Sequence, residues 1–498
     1  MANTKIRLTR TSQSVLVFVI LAALAFLLCT NLSSYYFCPK APQLDSSVFR
    51  YVGMVMQRGG VPYRDTFDHK GPLIYLFNYL GLFWGNNGIW FVELALMFLA
   101  VIFAYKTFRL FCNQPLSLIG TCVAMFLMYD YLGEGNYTEE YALPFIICAI
   151  YVYTEYFLKG SAKWYKIAIC GACAMSVLLL RANMIGTWIV FSSAVMIREG
   201  KHCPKNIIPF ILSFILGLAA MFLPFFTYFY ANGALNDFWE QYIVFNMAYS
   251  SASGNKASAV RYFMLTAPSV IAILITLVRL HSEKDRDWLD WISLGYIVVS
   301  LCLIGISGRT YNHYGIILIP LAIIPLAKLY QYLSRTAIKR ELMISSFVVL
   351  VLLAYPWVHG FANRNFNVIL SGLRPEGIIS EFIRNNTEEE DVIIQCGHKD
   401  VFYVLSDRMA ASKYSYPLPI AMVDNRVYDE FFEDLREQPP TVIITDTWTE
   451  QDQLDYTEMN RRLSEYVEEF EYVKGPTVDT YTLYYRKGSY LANKIQEG

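Results

Sequence analysis

The sequence predicts a polytopic α-helical membrane protein, of about eleven spans plus interfacial helices, with a C-terminal extracytoplasmic α/β domain. Three observations carry this. Of 498 residues, 55% are hydrophobic and 17% charged, with a mean hydropathy of +0.34, which excludes a soluble single-core globule. Apolar runs long enough to cross a hydrocarbon core of about 30 Å recur up to residue 360. Charge is divided along the chain: from Ser371 onward there are 25 acidic and 13 basic residues, and before it 17 acidic and 28 basic. A basic membrane body, 1–370, is therefore expected to precede an acidic soluble domain, 371–498.

The expected spans lie near 14–33, 88–110, 115–131, 139–158, 165–181, 183–198, 206–230, 260–280, 289–307, 312–332 and 342–360. The apolar run 71–84 is too short to cross upright and reads as an interfacial or partly inserted helix. The first run follows Lys5, Arg7 and Arg10 and reads as an uncleaved anchor. Basic residues mark alternate loops: Lys106 and Arg109, then Lys159, Lys163 and Lys166, then Arg198, Lys201 and Lys205, then Arg279, Lys284 and Arg286, then Lys328, Arg335, Lys339 and Arg340. By the positive-inside rule they face the cytoplasm, with the N-terminus inside and the C-terminal domain outside. The ten cysteines fall mostly within spans, where Cys acts as a small apolar residue. Cys170 and Cys173 read as helix packing, and only Cys38 and Cys396 are expected outside, their pairing open.

The outer loops hold the chemistry. Asp45, Asp65, Asp68 and Lys70 gather in the first of them, where charge is costly to keep at a bilayer edge without a purpose. Asp45 opens an amphipathic segment whose Val48, Val52, Val55 and Met56 recur at helical spacing, so that it can lie flat on the interface. Helix capping by Asp45 and turn formation by Asp65 and Asp68 are the plainer readings of the same residues. Arg309, Tyr311 and His313 stand where one span ends and the next begins, a polar receptor for an anion. Arg181 and Asn183 occupy another helix end, and Glu139 stands with Glu134 and Glu140 in a further outer loop. Carboxylates and cations at one lipid–water boundary suit transfer of a group from a lipid-borne phosphate: the carboxylate takes a proton, and the cations hold the leaving phosphate.

On these residues the sequence resembles the GT-C superfamily of polyprenyl-phosphate-sugar-dependent glycosyltransferases, and within it the bacterial members related to aminoarabinose transferases and protein O-mannosyltransferases. The resemblance rests on Asp45, the run Gly60-Val-Pro-Tyr-Arg-Asp65, the run Phe67-Asp-His-Lys-Gly-Pro72, and Arg309-Thr-Tyr-Asn-His-Tyr314 ahead of a span with Pro320. It implies inverting transfer of a sugar from a polyprenyl-phosphate donor to a hydroxyl of a glycan, lipid or protein at the outer face of the cytoplasmic membrane. It implies Asp45 as general base, Asp68 as a second acidic residue, and Lys70 and Arg309 as phosphate contacts. Arg64, Tyr311 and His313 are further candidates for the donor phosphate, and Tyr63, Glu139, Arg181 and Asn183 for substrate. Ser46 follows Asp45 where many relatives carry Glu, which departs from a two-carboxylate pattern. Metal use differs across the superfamily; no ligand spacing assigns a cofactor here, and a divalent metal stays open.

The C-terminal domain is expected to carry helices over 376–386, 424–438 and 451–469 and strands over 391–396, 441–446 and 481–485. Gly397 follows a strand without a glycine-rich fingerprint, so nucleotide binding is not expected, nor is nucleic acid a partner. The domain is expected to cover the cavity or position the acceptor. The long connection 231–259 is expected to contain an interfacial helix and a flexible stretch from Ser250 to Asn255, together a mobile flap over the donor. Two other classes of protein compete: a lipid or glycan transporter or flippase, against which the sequence lacks internal repeats, and a receptor or assembly subunit working through its acidic domain.

Overall fold

The structure, a computed structural model, describes residues 10–42, 44–251, 255–282, 286–335, 339–366, 374–446 and 455–497. The chain divides into two compact units. One comprises Met1–Cys38, Trp90–Phe225 and Ser253–Val368; the other comprises Pro39–Ile89, Phe226–Ala252 and Ile369–Gly498.

The first unit is helical. Among the described residues, eight helices are long and apolar enough to cross a membrane: Thr11–Cys29, Ile89–Arg109, Gln114–Leu132, Thr138–Lys159, Pro204–Ala231, Trp288–Gly305, Asn312–Arg335 and Met343–Asn365. The remaining three of the expected eleven are helical but differ in form. The run 260–280 is two helices, Lys256–Met264 and Ala267–His281, bent by 72°. Pro268, in the first turn of the second helix, explains the break: it has no N–H to donate to the Met264 carbonyl, and its ring would clash with that carbonyl in a continuous helix. The other two are Trp164–Leu178 and Gly186–His202, of 15 and 17 residues, with Arg181 and a 3-10 turn, Ala182–Met184, between them. The core of this unit is a continuous apolar cluster that includes Leu28, Leu32, Val101, Ala104, Phe108, Met128, Ile147, Ile316 and Ile323.

The second unit is built from segments far apart in the chain. Its five-stranded sheet has the order β2-β1-β3-β5-β4, with β1 Val392–Gln395, β2 Met409–Ala410, β3 Val442–Asp446, β4 Val473–Val478 and β5 Tyr481–Tyr485. β1 runs parallel to β2 and β3, whereas β5 pairs antiparallel with β3 and β4. The expected helices are present as Pro375–Asn386, Arg426–Glu437 and Thr457–Glu469; 451–454 of the third lie outside the described residues.

The amphipathic segment beginning at Asp45 is the helix Leu44–Gln57, but its apolar stripe is covered by protein and does not lie on a lipid interface. Val48, Val52 and Val55 are all buried, and Tyr51, Met54 and Val55 share one apolar cluster with Ile393, Phe402, Tyr403, Val442 and Leu483 of the α/β domain. The Ala410 N–H donates to the Tyr51 hydroxyl at 2.9 Å. Gly53 lets the helix Pro72–Leu82 approach from another side, since a Cβ there would stand 3.0 Å from backbone atoms of Asn78 and Tyr79. A stripe at helical spacing marks a face to be buried and does not say whether lipid or protein covers it.

Candidate functional site

Residues 58–71 form a loop between two helix ends, and Pro72 opens the second helix, where its missing N–H costs nothing. The loop is fixed by its own polar groups. Tyr63 is buried with φ at 72°, a left-handed conformation costing roughly 1–2 kcal/mol for a residue with a Cβ. Three hydrogen bonds offset that cost: its N–H donates to the Thr66 carbonyl at 2.9 Å, its hydroxyl to the Lys70 carbonyl at 2.7 Å, and its carbonyl accepts from Gln241. Tyr63 is thus part of the loop's interior. Arg64 forms a two-pronged pair with Asp65, both contacts at 2.8 Å, and donates to the Asn232 carbonyl at 2.9 Å.

The two candidate carboxylates differ sharply. Asp68 is 3% exposed. It accepts from the Tyr416 hydroxyl at 2.6 Å, the Tyr75 hydroxyl at 2.8 Å and the His69 N–H at 2.7 Å. Burial raises its pKa from the ordinary value, against the opposing pull of Lys70 and these three donors. Asp45 is only partly buried, in the first turn of its helix. Among the described residues its carboxylate holds no hydrogen bond, and its charge reaches Tyr416. Lys70 places its ammonium 2.8 Å from His69 Nε2.

Sequence reading missed a further buried carboxylate of this unit. Asp400, fully buried, accepts from the Ser415 hydroxyl at 2.6 Å. Burial, with the charge of Asp68 adding to it, pushes its pKa up to about 8. The unfolded chain releases that proton near pH 3.9, roughly, so the stabilising contribution is complete below about pH 4 and is lost as the pH rises towards about 8. Asp400→Asn, uncharged throughout, is expected to flatten this decline and to stabilise the protein by ~2–5 kcal/mol at about pH 9 relative to about pH 5. Thermal unfolding of both forms across that range checks it, and parallel slopes would sink the assignment.

The remaining candidates lie in the first unit. Arg181 pairs with Glu139 at 2.5 Å, donates to the Tyr314 hydroxyl at 2.6 Å, and stands 4.1 Å from the centre of that ring. Thr138 donates to the other Glu139 oxygen at 2.9 Å. Both charges are therefore neutralised by each other. His313 stacks on Tyr137 at 4.5 Å and lies 5.7 Å from Tyr311, whose hydroxyl accepts from Arg309 at 2.8 Å. Asn183 Oδ1 is buried and accepts no hydrogen bond among the described residues. Glu93 and Glu140, both buried, accept from the Ser34 hydroxyl and the Asn136 N–H respectively. Among the described residues no three His, Cys, Asp or Glu side chains gather as metal ligands. All ten cysteines, Cys38 and Cys396 included, are free thiols.

The family described as putative competence-induced protein Ccs4, N-terminal domain, matches residues 2–357. The chain belongs to this family. For this Ccs4 family member, no curated protein matches the sequence, but solved structures do. ArnT from Cupriavidus metallidurans, bound to undecaprenyl phosphate, is similar over 96% of this chain and 98% of its own, with TM-score 0.63 and 11% identity. The same protein in the apo state gives 0.65 at 10% identity over the same shares. The apo oligosaccharyltransferase from Archaeoglobus fulgidus is similar over 88% of this chain and 70% of its own, with TM-score 0.52 and 12% identity. The fold is the expected GT-C architecture, and the chain is a multi-pass membrane protein.

Proposed function

We propose that this protein is a membrane glycosyltransferase that moves a sugar, with inversion, from a polyprenyl-phosphate carrier to a hydroxyl acceptor at the outer face of the cytoplasmic membrane. The observation that carries this reading is the likeness to ArnT over nearly the whole of both chains, ArnT having been solved with undecaprenyl phosphate. At a shared fold the residues must carry the chemistry, and the first loop supplies them. Asp45, outside the hydrogen bonds that engage Asp68, takes the proton from the acceptor hydroxyl. The acceptor oxygen forms its bond to the anomeric carbon as the bond from that carbon to the phosphate oxygen breaks, and the electron pair leaves with the polyprenyl phosphate. Lys70 faces the phosphate and stabilises the charge gathering there. The α/β domain, an extracytoplasmic domain in this reading, packs against the helix that carries Asp45 and leads into the loop that carries Lys70.

Lipid extracts from cells with and without the gene test this directly. Mass spectrometry is expected to find a polyprenyl-phosphate sugar accumulating when the gene is absent. Identical carrier-lipid profiles would remove the reading.

A further inference from the structure

We propose that His69 is a positioning residue for Lys70: its neutral imidazole, clamped in place by the segment 245–249, accepts a hydrogen bond from the lysine ammonium and sets where that charge meets a phosphate. The inference rests on the function proposed above, and deepens it by naming what fixes the cation.

A lysine ammonium has three N–H donors and no acceptor. At a separation of 2.8 Å, His69 Nε2 must therefore be the accepting atom. That requires an uncharged ring with its proton on Nδ1. Asp68 Oδ1 lies 3.8 Å from Nδ1, too far for a hydrogen bond but near enough for its charge to favour this tautomer. The ring itself has little freedom. Phe245 and Tyr249 lie against it at 5.4 Å and 5.1 Å, tilted by 31° and 35°. The backbone is tied on both sides: the His69 N–H donates to Asp68 at 2.7 Å, and the His69 carbonyl accepts from Asn246 at 2.5 Å. The Lys70 carbonyl accepts from both Tyr63 and Tyr75. Order thus extends along the backbone to the base of the flexible lysine stem, which gives up rotamer freedom when its end is held. The imidazole is a group that holds its end, at hydrogen-bond distance.

The simpler alternative is that His69 only fills the space between two aromatic rings. Two substitutions in the full-length, detergent-solubilised protein separate these roles, with undecaprenyl phosphate as the probe. His69→Phe keeps a ring for Phe245 and Tyr249 and removes the acceptor. His69→Gln gives up the ring and supplies an amide oxygen as acceptor. We expect His69→Phe to melt with the wild type but to bind the probe roughly 10- to 100-fold more weakly, the worth of a hydrogen bond to a charged group, and His69→Gln to recover most of that loss. If His69→Phe binds as tightly as the wild type, or if both variants fail equally, the positioning role is overturned. If the wild type does not bind undecaprenyl phosphate, the functional reading falls first and this inference falls with it.

Discussion

Asp45→Asn is expected to lower the turnover of sugar transfer by about 10²- to 10⁴-fold, the usual worth of a positioned base, while the melting temperature stays where it was. The stability half of that expectation follows from the surroundings of Asp45. Its carboxylate sits in a first helical turn, partly buried, with no hydrogen bond among the described residues, so removing its charge leaves no donor stranded. The catalytic half follows from the same fact, because a carboxylate engaged by several donors is a poor base. Asparagine matches the shape and cannot take a proton. Release of polyprenyl phosphate from a radiolabelled sugar donor, measured at saturating donor, gives the number. Turnover unchanged within a few fold would show that some other group accepts the proton.

Asp68→Leu should behave in the opposite way and act on folding. The substitution strands the Tyr416 hydroxyl, the Tyr75 hydroxyl and the His69 N–H, which all donate to this carboxylate. A buried donor without its partner costs about 1–3 kcal/mol, so a loss of ~3–5 kcal/mol is expected once the surroundings relax. Tyr416→Phe, which removes one donor and leaves the carboxylate two, should cost about 1–2 kcal/mol. Thermal unfolding in detergent reads both. A variant at Asp68 that melts normally yet fails in transfer would return that residue to a chemical role, as the resemblance to the superfamily first implied.

The spans were legible because a bilayer demands a long apolar run, and that demand leaves its mark in the order of residues. The strands over 392–395, 442–446 and 481–485 were legible for a related reason: short apolar runs between polar turns. β4 was not, since Lys474, Gly475, Pro476 and Thr477 interrupt any alternation, and β2 is two residues long. The bend before Pro268 was missed because hydropathy does not register a change of direction. At the candidate site, Asp45 and Lys70 stood out by type and position, whereas their neighbours did not. Tyr416 and Asn246 reach the loop from segments with no local mark of that purpose, and Asp400 comes near enough to feel the charge of Asp68; these placements are a product of tertiary structure. Likewise Arg181 and Glu139 were each singled out, but nothing in their spacing showed that they bind each other.

Asp68 and Tyr416 are 348 residues apart, and this bears on how the protein is made. A ribosome delivers the loop early and its hydroxyl partner late, after the spans between them have been threaded into the bilayer. For most of translation the nascent loop must wait with its acid served by the nearby Tyr75 and His69 donors alone. Completion of this carboxylate's shell of donors is then, in effect, timed by a late segment of the chain, and a product truncated before Tyr416 would lack that donor altogether.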